Sequence, residues 1–210
     1  MNQPITDSAG FLSNVPLSSV LGPADWTHGI ARPFQDVVAD PNPNLTVQLF
    51  RQPAGQPCTL SRIVGIVGAG TMGRGIAALC ALRGYSTAVY EADPAIRGEL
   101  RGAIEESWKR AVARGKLSAE SLAPAGRRLT VAENLSEASA SEFVIEAIPE
   151  FLDAKRRLFH ELDVSCPPTA LLASNTSSLS IARIAEGLRH PERVVGIHFF
   201  NPVATMPLVE

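Results

Sequence analysis

The chain has 210 residues, 45% of them apolar, enough for one domain with a sizeable core plus an appendage. Its net charge of −2 is spread among mixed signs, so no basic surface recommends nucleic acid or a membrane as partner. No apolar run approaches the roughly 18 residues of a membrane-spanning helix, and Cys58, Cys80 and Cys166 stand alone without C-x-x-C spacing, which suits a reducing compartment rather than a disulfide framework.

Residues 1–60 hold half of the 16 prolines and no sustained periodicity. They read as an extended or poorly ordered leader in which only short pieces, such as LTVQLF at 45–50, suit a strand. Trp26 reads as an aromatic that tacks the leader onto the domain, beside His28. No basic residue precedes Arg32, and Asp7 and Asp25 contradict a secretory signal or transit peptide. The final residues PLVE are no peroxisomal address, so the expected compartment is the cytoplasm.

Residues 62–67 (RIVGIV) form a doubly buried strand pattern that runs into GAGTMG at 68–73 and then a helical pattern of Ile76, Ala77, Leu79, Cys80 and Leu82. This is G-x-G-x-x-G between a strand and a helix. Gly68 suits the tight turn, Gly70 lets a pyrophosphate approach the backbone, and Gly73 lets helix and strand lie close. Thr71 and Met72 stand at the helix start, whose free N–H groups face the phosphates. A second strand at 87–90 closes on Glu91, at the spacing of a ribose-binding carboxylate, with Asp93 as a second candidate. A carboxylate there favours NAD over NADP, whose extra phosphate it repels.

Pro94 suits the first turn of a helix capped by Asp93, with Ile96, Leu100, Ile104, Trp108 and Val112 on one face. A short helix at 118–122 completes a helical excursion. Strands are expected at 127–131 and 142–145, with a short polar helix or loop around 134–140. A helix at 150–162 ends before Pro167 and Pro168, and a fifth strand at 170–173, a helix at 178–188 and a sixth strand at 193–198 follow. The expected fold is α/β, a Rossmann-type doubly wound, mostly parallel sheet with a helical excursion after the second strand. Residues 61–210 form the nucleotide-binding domain.

This order brings residues 68–73, Glu91, residues 147–150, residues 175–177 and His198 to the carboxyl ends of strands, where open parallel sheets bind ligands. Ser177 or Ser178 could equally cap the following helix. His198, at a strand end, has the proton affinity to take a hydroxyl proton while hydride leaves for nicotinamide, and Glu210 is the nearest downstream carboxylate to orient it.

The motifs IVGIVGAGTMGRGIA, FVIEAIPE, ASNTSSLSI, GIHFFNPV and PLVE together resemble the L-3-hydroxyacyl-CoA dehydrogenase family. The resemblance implies NAD-dependent interconversion of 3-hydroxyacyl-CoA and 3-ketoacyl-CoA in fatty-acid β-oxidation or short-chain acyl-CoA metabolism. It implies His198 as general base or acid, Glu210 as its orienting carboxylate, and Ser177 and Asn201 as hydrogen-bonding groups for the reacting end of the substrate. By the same carry-over Glu91 meets the adenosine ribose, and Ala147, Glu150, Lys155 and Asn175 belong to the cofactor site. Ser107 and Arg114 fall where the family contacts coenzyme A. The intact HFFNP at 198–202 favours an acyl-CoA over a free hydroxy acid. No metal is called for. The family's helical carboxyl-terminal domain is expected to be absent from this chain. The alternatives are therefore an NAD(H)-binding module, or an inactive fragment that needs that domain from a separate partner chain.

Overall fold

A computed structural model describes residues 63–206 and 208–210, together with the backbone of Arg32 and Pro33. The expected leader, with its strand at 45–50, Trp26 and His28, otherwise lies outside the described residues.

The apolar run after residue 62 forms β1 (Ile63–Val67), and the chain then alternates between helix and strand. In order follow α1 (Thr71–Leu82), β2 (Ser86–Tyr90), α2 (Pro94–Ala113), a 3₁₀ turn at Ala119–Ser121 and α3 (Leu122–Arg128). Next come β3 (Leu129–Ala132), α4 (Leu135–Ser139), β4 (Phe143–Glu146) and α5 (Leu152–Ser165). The last are β5 (Leu171–Ser174), α6 (Ile181–Ile184), a 3₁₀ turn at Pro191–Arg193, β6 (Val194–Gly196) and β7 (Leu208–Val209). The first six strands form one parallel sheet in the order β3-β2-β1-β4-β5-β6. The direction of winding reverses between β1 and β4, which opens a crevice at their carboxyl ends.

Alternation along the strands divides the core. Val64, Ile66, Phe143, Ile145 and Ala173 pack with residues of α1, α2 and α3 on one face. Val67, Val144, Leu172 and Val194 pack with Phe159, Leu162 and Ile184 of α5 and α6 on the other. Cys80 is part of the first cluster, and burial pushes its thiol up to about 12, so it is an inert core residue.

Local chemistry sets the helix ends. Asp93 Oδ1 accepts from Ala95 N–H at 2.8 Å and Ile96 N–H at 3.4 Å, capping α2 as its sequence suggests. Asn134 and Glu137 hold each other across the first turn of α4. The stripe expected on α2 is buried at Leu100, Ile104 and Trp108, but Ile96 is exposed.

Three expected elements differ. Arg127 and Arg128 belong to α3 and not to the third strand, because parallel pairing begins only at Leu129 opposite Thr87. The helix expected at 178–188 shrinks to one turn, because Ser180 supplies the cap, accepting from Arg183 N–H at 3.4 Å, and the chain turns at Gly187 with φ +81°. The sixth strand ends at Gly196, and His198 lies on a separate antiparallel ladder. Its N–H donates to Glu210 O at 2.8 Å, Glu210 N–H donates back at 3.1 Å, and Phe199 bridges Val209. The other side of β7 pairs antiparallel with Arg32 and Pro33.

A buried ion pair ties the end of α5 to the start of β6. Arg193 Nη2 lies 2.8 Å from Asp163 Oδ1 and also donates to Asp163 O at 2.7 Å, while Arg189 N–H donates to Asp163 Oδ2 at 2.6 Å. Burial alone raises the Asp163 pKa. The hydrogen bonds from Arg193 and Arg189 and the Arg193 charge outweigh it, so the carboxyl lies below its ordinary 3.8. A lowered folded pKa means that the pair contributes fully above the unfolded value and is lost as pH falls through the folded one. Asp163→Asn should cost about 3–5 kcal/mol in urea unfolding at neutral pH. The loss should shrink below about pH 4 as the wild type forfeits the same interaction, and a pH-independent difference would refute this account.

Candidate active site

The loop at residues 68–73 leaves β1 and opens α1. Gly68 has φ +97°, a conformation that residues with a β-carbon avoid, and a β-carbon there would stand 2.7 Å from Ala147 O. A β-carbon on Gly73 would stand 1.8 Å from Gly68 O. Gly70 differs, since its φ of −64° suits any residue and nothing lies within 4 Å of a β-carbon placed on it. Among the described residues its smallness serves no contact, and it leaves room for a further group. Among the described residues no side chain caps α1, and its first turn carries no acid; the N–H groups of exposed Thr71, of Met72 and of Gly73, as in any first helical turn, have no acceptor within the helix. An open glycine beside uncapped N–H groups fits a pyrophosphate.

Glu91, just beyond β2, braces this loop. Its Oε2 accepts from Ala69 N–H at 2.7 Å and its Oε1 from Asp93 N–H at 3.1 Å, while Arg97 donates to its carbonyl at 2.6 Å. Asp93 uses its carboxylate to cap α2, which leaves Glu91 as the acidic side chain beside the glycine loop.

Across the switch point, Met72, Ala147, Ile148, Glu150, Asn175 and Ser177 line a crevice of about 320 Å³ together with His198, Phe199, Phe200 and Asn201. Ala147 N–H donates to Val67 O at 2.8 Å, which fixes the exit of β4 beside that of β1. The Glu150 carboxylate accepts from Thr176 and Ser178 hydroxyls and lies 3.2 Å from Lys155 Nζ. Partial burial raises its pKa, but the hydrogen bonds from Thr176, Lys155 and Ser178 and the Lys155 charge outweigh it, so it lies below the ordinary 4.5.

Lys155 is not a wall of the crevice. It is 1% exposed and reaches from α5 behind Glu150 to Glu146 Oε1 at 2.5 Å and Ile148 O at 3.2 Å. Neither Ser177 nor Ser178 caps a helix; Thr176 Oγ1 accepts from Ser178 and Leu179 N–H, and Ser177 is free to face the crevice. Asn175 Oδ1 accepts from Phe199 N–H at 2.9 Å, so this residue positions the segment that carries His198.

His198 Nδ1 lies 3.2 Å from Glu210 Oε2, and its ring packs on Phe200 with centroids 4.6 Å apart. With Nδ1 engaged by the carboxylate, Nε2 is the nitrogen left for a substrate. Ser107 donates to Ile104 O within its own helix and Arg114 is the exposed C-cap of α2; neither belongs to the crevice.

Sequence reasoning gave no role to Glu146, Ser174 or Thr176, and used Phe200 only as part of HFFNP. The signal for Glu146 was present, because a charged residue closing the apolar run FVI must find a partner once buried.

Residues 63–210 match the 3-hydroxyacyl-CoA dehydrogenase NAD-binding domain. The chain belongs to that family. It is 41% identical over 147 residues to a 3-hydroxyadipyl-CoA dehydrogenase of Escherichia coli, covering 70% of this chain and 31% of the relative. It is 44% identical over 148 residues to a 3-hydroxybutyryl-CoA dehydrogenase of Mycobacterium tuberculosis, covering 70% and 52%. The crystal structure of a (S)-3-hydroxybutyryl-CoA dehydrogenase from Ralstonia eutropha is similar with a TM-score of 0.68 and 36% identity, covering 71% of this chain and 53% of that one. The chain thus spans from a third to half the length of these 3-hydroxyacyl-CoA dehydrogenases.

The geometry separates two roles of glycine that mutagenesis can distinguish. Gly70→Ala should leave thermal stability within about 1 kcal/mol, since its β-carbon meets nothing, yet weaken NADH binding at least tenfold in a fluorescence titration. Unchanged affinity would show that the pyrophosphate does not approach there.

Proposed function

We propose that this chain carries the cofactor-binding and acid–base half of an enzyme that interconverts L-3-hydroxyacyl-CoA and 3-ketoacyl-CoA. The observation that carries the reading is the His198–Glu210 pair at 3.2 Å, with His198 on the crevice that Met72 of the glycine loop also lines. Bound NAD would supply the hydride acceptor. Gly68, Gly70, Gly73, Thr71 and Met72 would hold its pyrophosphate and Glu91 its adenosine ribose, with Ala147, Glu150 and Asn175 beside the nicotinamide.

In the oxidative direction His198 Nε2 takes the proton of the 3-hydroxyl group, and in the reductive direction it returns it. Glu210 keeps the other proton on Nδ1 and stabilises the imidazolium that forms. Ser177 and Asn201, both on the crevice, would donate to the reacting oxygen as negative charge builds on it. Phe199 and Phe200 supply an apolar wall that limits water at the reacting carbon. For coenzyme A we keep Ser107 and Arg114 as proposed contacts on the excursion, reached by substrate extending out of the crevice. For domain limits we keep 1–60 as leader and 61–210 as the nucleotide-binding unit. As compartment we propose the cytoplasm, in keeping with the unpaired Cys80 and Cys166.

Exposure favours a second reading, a module that binds NAD(H) but turns over only with the further sequence that the relatives carry. Phe151, next in sequence to the crevice residue Glu150, is 69% exposed. Acetoacetyl-CoA reduction by NADH, assayed with the chain alone and with the remaining part of a 3-hydroxybutyryl-CoA dehydrogenase added, separates the two. Whichever preparation is active, His198→Gln should lower kcat by about 10²–10⁴ with NADH affinity within about twofold of wild type. Full activity in that variant would remove the proposed acid–base role.

A further inference from the structure

The exit of β4 gathers two carboxylates around one ammonium group. Lys155 Nζ lies 2.5 Å from Glu146 Oε1 and 3.2 Å from Glu150 Oε2. Glu146 is fully buried, and its remaining capacity is taken by Ser174 Oγ at 2.5 Å and Ile148 N–H at 2.8 Å. A carboxylate so placed needs a charge partner, and among the described residues Lys155 is the cation within ion-pair distance. One positive charge therefore meets two negative ones. The excess falls on Glu150, whose side chain is 40% exposed and lines the crevice, where among the described residues the other lining side chains are uncharged apart from His198 when protonated.

In a sheet ordered 3-2-1-4-5-6 the two halves of a dinucleotide lie on either side of the switch point. Glu91 after β2 marks the adenosine half, so the nicotinamide falls on the β4 side with Glu150 and His198. The nicotinamide ring is a cation when oxidised and neutral when reduced.

We propose that Glu150 presents a negative charge only partly compensated by Lys155, which it shares with Glu146, to the nicotinamide half of the crevice and so holds the oxidised cofactor more tightly than a neutral wall would, with Glu146 as the positioning residue that takes up much of the charge of Lys155. This inference depends on the NAD reading above. At an effective permittivity of about 40, between that of a protein surface and that of water, a unit charge about 6 Å away corresponds to about tenfold in affinity. For the two-electron couple, tenfold tighter binding of the oxidised form lowers the bound potential by about 30 mV.

Isothermal titration of the purified chain with NAD⁺ and with NADH tests it. Glu150→Gln should weaken NAD⁺ about tenfold more than it weakens NADH, and Glu150→Asp should keep the wild-type ratio. NADH affinity doubles as the check on folding, because a merely structural role moves both forms alike. Glu146→Gln, which leaves the Lys155 charge to Glu150, should shift the ratio the same way, and an unchanged ratio there overturns the part assigned to Glu146. Equal loss of both forms in Glu150→Gln, or no change in ratio, overturns the charge role while the NAD reading stands. A wild-type chain that binds neither form overturns that reading and this inference with it.

Discussion

Three backbone contacts made through absent β-carbons hold β1 in place, and the remainder of the molecule depends on them. Gly73 brings α1 onto the Gly68 carbonyl, Gly68 itself lies against the backbone of Ala147, and a β-carbon on Gly65 would stand 2.2 Å from Ala138 O of α4. Helices on both faces of the sheet therefore approach its central strand more closely than side chains would permit. Because β1 pairs with both β2 and β4, its position fixes where Glu91 and residues 147–150 emerge. The crevice is the gap those contacts leave.

The polar residues on the other side of the gap are linked from strand to strand. Glu146 at the end of β4 holds Ser174 at the end of β5, the next residue Asn175 holds Phe199, and Phe199 follows His198. The first bond joins the ends of neighbouring strands, and the second joins the exit of β5 to the segment beyond β6. His198 thus inherits its position from the parallel ladder although it is no longer part of it. Glu210 acts from the opposite side through both its backbone and its carboxylate. A histidine held at its main chain and at one ring nitrogen loses little freedom when a substrate meets the other nitrogen.

Most of the sheet was legible because buried parallel strands are short apolar runs bounded by turns, and here helix patterns separate them cleanly. Asp93 and Pro94 announced α2 together. The segment after β5 was not legible, since Ser177, Ser178 and Ser180 are all competent caps and only the tertiary partner decides among them: Glu150 claims the hydroxyls of Thr176 and Ser178. Ile96 follows the α2 stripe in sequence but lies in the first turn of the helix and is 44% exposed. The sequence suggested which residues gather at the strand ends, and the structure brings His198, Glu150, Asn175, Ser177 and Asn201 to one crevice. Whether a side chain lines that crevice or stands behind it, as Lys155 does, depends on three-dimensional charge pairing that spacing does not encode.

The strands of this sheet are only long enough to deliver their exits to the crevice, and the outermost ones are β3 with four residues and β6 with three. Exposed strand margins are templates on which other chains can extend a sheet. Such short margins offer few unpaired main-chain groups, and the chain leaves β6 at once for an antiparallel ladder that points its pairing elsewhere. The economy of backbone that serves the site thereby also limits lateral growth of the sheet into fibrils.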